Sequence, residues 1–161
     1  MSARPAERDW FGILADDPPE KRHDFADLLA MADAMLATRH ERFPALVAAG
    51  DLSAEDAANE ISAFEDLVAD WRFIASAGSE GEPASALSVW RRRQLLDGSL
   101  RTLADIARQQ GGFSENLSRQ AECVIALRWH LEPGRDQIAL ARLTHQLRID
   151  AAERREPAKC N

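Results

Sequence analysis

From residue 24 onward the apolar residues recur every three or four positions, the spacing that gathers them on one face of an α-helix. Phe25, Leu28, Leu29, Ala32, Met35 and Leu36 share such a face and predict a first helix from about Asp24. Pro44 is expected to end or kink it near His40–Phe43, and Gly50 to close the apolar content that follows. Ser53-Ala54-Glu55-Asp56 has the pattern of a capping box. It opens a second helix whose stripe, Ile61, Phe64, Leu67, Val68, Trp71 and Ile74, continues to Gly78. The short link between the two helices predicts an antiparallel hairpin.

Residues 79–85 are rich in Gly, Ser and Pro and read as a linker. Beyond it the periodicity predicts helices over roughly 85–97, 103–110, 115–131 and 136–153, with turns at Asp97–Gly98, Gly111–Gly112 and Glu132–Gly134. Within the last helix Ile138, Leu140, Leu143 and Leu147 are apolar. Residues 1–22 hold Pro5, Gly12, Pro18 and Pro19 and are expected to be irregular. No alternating strand pattern of convincing length occurs. The expected fold is therefore all-α, with five or six helices. An acidic helical hairpin (residues 23–78) is packed on, or tethered to, a basic helical group (residues 86–153), and residues 154–161 form a polar tail.

Charge sharpens that division. Residues 1–86 hold 18 acidic and 7 basic residues, whereas residues 87–161 hold 9 acidic and 13 basic ones. Between residues 51 and 70 there are seven acids and no base. Such asymmetry suits contact between the halves or an electrostatic partner for either. Eighteen of the 20 basic residues are arginine, alanine is abundant and tyrosine is absent, which reads as a GC-rich bacterial coding bias. The apolar runs are too short to span a bilayer, and residues 1–10 lack the apolar stretch of a secretory signal, so no membrane partner and a cytoplasmic location are expected. Two cysteines, Cys123 and Cys160, are too few for a disulfide framework and are expected to be free thiols.

One segment has the look of a known motif. In Thr102–Arg119, TLADIARQQGGFSENLSR, Thr102 and Asp105 have capping-box spacing, Ile106 and Ala107 pair an apolar with a small residue, and Gly111 falls where a turn needs a left-handed residue. Leu117 falls on the inner face of the following helix and Ser118-Arg119 follow it. The segment resembles the helix-turn-helix of the lactose-repressor family of bacterial regulators. That resemblance implies DNA contact through Arg101, Ser114, Asn116, Ser118 and Arg119. The run Arg91-Arg92-Arg93 is spread over about 200° of a helix and cannot form one phosphate-binding stripe.

Catalytic signatures do not appear: there is no glycine-rich phosphate loop, nucleophile elbow or paired-cysteine metal site. The acidic helix lacks the inward Glu-x-x-His pairs of carboxylate-bridged metal bundles, and His23, His40, His130 and His145 are expected to face solvent. Neither metal nor cofactor is therefore expected. The reading this supports is a non-enzymatic binding or regulatory protein that acts through protein–protein contacts, self-association among them. Trp10, Phe11 and Trp90 are its expected apolar contacts, and Asp56, Glu60, Asp66 and Asp70 its expected acidic ones. The alternatives are a DNA-binding regulator using Thr102–Arg119 and an inhibitor whose acidic half mimics nucleic acid.

Overall fold

The computed structural model describes residues 4–84 and 89–155. Residues 86–88 of the basic group, and Cys160 with most of the tail, lie outside the described residues. Five helices dominate, as the periodicity predicts: α1 (Phe25–Ala48), α2 (Ala54–Ala75), α3 (Val89–Gln110), α4 (Glu115–Trp129) and α5 (Gln137–Arg155). α1 and α2 form the expected hairpin. Ser53 caps α2, its hydroxyl accepting from the Asp56 amide at 3.0 Å. Pro44 does not end α1, which runs on to Ala48. It lies on the exposed side of the last turn and a half, where the His40 carbonyl it leaves without a helix partner can turn to water.

The N-terminal segment is not irregular. Strands β1 (Ala6–Trp10) and β2 (Ile13–Asp17) pair antiparallel, with Trp10 opposite Ile13 and a two-residue turn at Phe11–Gly12. Both turn residues have positive φ, 57° and 98°, as the twist of a tight hairpin demands. The Asp9 carboxylate accepts from the Gly12 amide at 2.7 Å and holds the turn. The hairpin escaped the sequence reading because a Phe at the first turn position is an unusual choice and each strand has only five residues. A 3-10 turn at Glu20–His23 leads from β2 into α1.

A second departure concerns α3, which runs unbroken through Asp97–Gly98. An interior glycine costs a helix ~1 kcal/mol. The burial of Leu96, Leu100, Leu103, Ala104 and Ala107 along one side of α3 outweighs it.

Helix α4 is the central strut. Val124, Ile125, Ala126 and Leu127 are all essentially inaccessible, so its second half is covered on every side. α1, α3 and the 3-10 turn pack around it. The core joins both halves of the chain: Leu28, Phe64, Leu67 and Trp71 from the hairpin meet Leu96, Leu100 and the buried α4 residues. Trp10 and Ile13 of the β-hairpin belong to the same core. No helix among the described residues is long and apolar enough to cross a membrane.

Candidate protein-interaction surface

α5 is built unlike the other helices. Of its 19 residues only Ala141 is buried. It packs on α2, where Gly78, in left-handed conformation just past the end of α2, allows close approach. A Cβ there would lie 2.6 Å from the Ala141 carbonyl oxygen and 2.9 Å from the His145 Cβ. Arg142 reaches the Phe73 ring at 5.8 Å from the same contact. Ile138 is partly buried against the core.

The remaining apolar residues point elsewhere. Leu140, Leu143 and Leu147 are 54%, 56% and 55% exposed. They sit at spacings of three and four residues and therefore share a face. Ala141 lies about 200° round the helix from Leu143, so this face is turned away from the protein. The helix is consequently apolar on two opposite sides, one resting on α2 and the other in water. Single exposed leucines are ordinary, but a row of three on one helical face makes this side of α5 the candidate surface. The sequence shows Ile138, Leu140, Leu143 and Leu147 as apolar but not that they divide between two sides. That signal lies in their spacing, since Ile138 and Ala141 are out of phase with the leucine row.

The residues expected to make protein contacts fare unequally. Trp10 is 2% exposed, a core residue with its indole under the Arg8 guanidinium, and it offers no surface. Asp70 is likewise withdrawn. It is 4% exposed, paired with the buried Arg92 and accepting from the Ala84 amide at 2.7 Å. The need to neutralise a carboxylate inside the core draws in the middle arginine of the 91–93 run. Glu60 is half-buried and bound to Arg39 at 3.0 Å. Asp56 is exposed and Asp66 half-buried. Phe11 is partly exposed beneath Arg101, whose guanidinium lies 4.5 Å from the ring centre. Trp90 is 66% exposed at the start of α3.

The helix-turn-helix candidates keep part of the expected geometry. Gly111, at φ 81°, makes the turn, Ser114 caps α4 and Leu117 is buried. Asn116 and Arg119 are exposed. Thr102 does not cap a helix. It lies inside α3 and donates its hydroxyl to the Gly98 carbonyl at 3.1 Å, while Asp105 pairs with Arg108. Ser118 lines a cleft of about 460 Å³ beneath β2, together with Asp16, Glu20, Lys21 and Glu122. Three carboxylates against one ammonium make that side of α4 unwelcoming to phosphate.

His130 also departs from expectation, being buried rather than solvent-facing. Its ring packs against Phe25, Trp71 and Trp129, and its Nε2 donates to the Arg22 carbonyl at 2.7 Å. Burial pushes its pKa below the ordinary histidine value. Cys123 is half-buried, and burial raises its thiol, which disfavours a thiolate. The one Glu-x-x-His spacing in the chain, Glu20 to His23, falls on the 3-10 turn with both residues exposed, not on an inward helical face.

No family model, curated protein or solved structure matches the chain.

Proposed function

We propose that this chain is a protein-interaction module rather than an enzyme, and that the leucine face of α5 is its docking surface. One observation carries the reading: Leu140, Leu143 and Leu147 each keep more than half of their surface in water, in a row on the side of α5 turned away from the rest of the protein. Exposing leucine surface costs about 25 cal/mol per Å² of area left wet. A protein that presents a row of them gains that energy back when a complementary surface covers it. DNA binding through Thr102–Arg119 draws less support, because Ser118 faces carboxylates. Nucleic-acid mimicry draws less as well, because Asp70 and Glu60 are neutralised within the chain.

The test is a paired substitution, Leu143→Ser with Leu147→Ser, that removes the face without touching the core. The variant should fold as the parent does and lose protein association in affinity capture and in sedimentation. Identical association by parent and variant would overturn the reading.

A further inference from the structure

We infer that the docking surface of α5 pairs with the same surface of a second copy of this chain, the two helices running antiparallel. The inference rests on the reading of that face as a docking surface and names its occupant. Asp136, the residue before α5, and Leu140, Leu143, Leu147, Asp150 and Arg154 within it are separated by four, three, four, three and four positions, which extends the spacing of the leucine row to both ends of the helix. That is the alternation of a coiled-coil seam. It also reads the same from either end, with its centre midway between Leu143 and Leu147. An antiparallel second copy in the centred register therefore meets every seam position with another seam position.

The residues brought together suit one another. Leu143 faces Leu147 of the second copy, and Leu147 faces its Leu143, giving two adjacent leucine layers at the centre. Asp136 faces Arg154 of the second copy at each end. Both are exposed in the single chain and neither forms an ion pair among the described residues; one Asp136 carboxylate oxygen accepts from the Ala139 amide at 3.0 Å, and the other is left for the arginine. Leu140 faces Asp150, whose carboxylate already accepts from Gln146 at 2.9 Å and so enters its layer with a partner. A parallel pair would instead stack Asp136 on Asp136, Asp150 on Asp150 and Arg154 on Arg154, three layers of like charge. Antiparallel alignment also sets each helix N-terminus beside the other's C-terminus, where the opposed partial charges attract. The contact is isologous and closes at two subunits, so it does not propagate into a fibre.

The experiment is sedimentation equilibrium of the full chain over a wide concentration range, with substitutions that separate the parts of the claim. The parent should show a reversible monomer–dimer equilibrium. Leu143→Ser with Leu147→Ser should leave a helical monomer by circular dichroism. Arg154→Glu should weaken the dimer about tenfold, since both symmetry-related end pairs turn repulsive. Adding Asp136→Lys to Arg154→Glu in one chain should restore most of that loss. In a parallel pair Arg154→Glu only exchanges one like-charge layer for another, so an unchanged dissociation constant would overturn the antiparallel register. A parent that stays monomeric at every concentration would overturn self-pairing. Capture of a foreign protein by that monomer, lost on Leu143→Ser with Leu147→Ser, would leave the docking surface itself standing. Absence of capture would remove both.

Discussion

The two ends of the described chain solve the same problem in opposite ways. The N-terminal β-hairpin and the C-terminal α5 are both peripheral elements carrying large apolar side chains. The hairpin turns Trp10 and Ile13 inward, and they belong to the same core as Leu100 and Ile125. α5 commits only Ala141 to full burial and leaves three leucines outside. A five-residue strand pair has one face to offer the core, and its aromatic residue takes it. A 19-residue helix has a full circumference, and this one carries apolar residues on two sides of it. Apolar content alone therefore does not separate an element that serves the core from one that leaves its apolar side chains wet. What separates them is whether the outward apolar residues form a row: β2 leaves Leu14 alone on its outer face, 70% exposed, whereas α5 lines up three leucines on one side.

If that contrast is right, the largest effect belongs to Trp10→Ala. It removes a fully packed indole and should cost ~3–5 kcal/mol in chemical unfolding. A loss below about 1 kcal/mol would mean that the hairpin is an appendage rather than core. Next is Gly78→Ala, which places a Cβ within 2.6 Å of the Ala141 carbonyl oxygen at a backbone φ of 84°. Overpacking of this kind costs ~1–3 kcal/mol, and the loss should appear as faster amide exchange in α5 than in α4.

A smaller effect, confined to acid, is expected at His130. Its folded pKa is depressed by burial, so the unfolded chain takes up a proton that the folded chain resists. Stability should therefore be level above the unfolded histidine value of ~6.5 and fall as pH drops below it. His130→Gln should flatten that part of the pH profile, measured by urea unfolding between neutral pH and mild acid. The smallest effect is expected where the sequence alone would suggest a core: Leu143→Ser with Leu147→Ser should change the stability of the dilute, monomeric protein by no more than ~0.5 kcal/mol.

Much of the fold was legible because amphipathic periodicity is a local signal. The stripe from Ile61 to Ile74, the Ser53 cap and the turn at Gly111–Gly112 could be read without knowing what packs on what. The hairpin could not, since five residues a side give little alternation and Phe11 is not a residue that announces a tight turn. The break expected at Gly98 failed for a related reason. A glycine's local cost is visible in sequence, but the burial of Leu96 and Leu100 that overrides it is tertiary. Site residues were less legible still. Asp70 and Arg92 lie 22 positions apart and look like surface charges until α2 and α3 bring them together in the core. The leucines of α5 were visible as apolar residues, but their exposure depends on which side of the helix α2 claims.

A docking role for α5 requires that its outward leucines be wet in the single chain and covered in its complex. Solvent paramagnetic relaxation of leucine methyl groups tests it directly, with the buried Leu127 as internal reference. In dilute protein the methyls of Leu140, Leu143 and Leu147 should relax strongly, and raising the concentration should protect Leu143 and Leu147 most while Leu127 stays unchanged. Methyls of Leu143 and Leu147 that are as protected as those of Leu127 at the lowest concentration would contradict it.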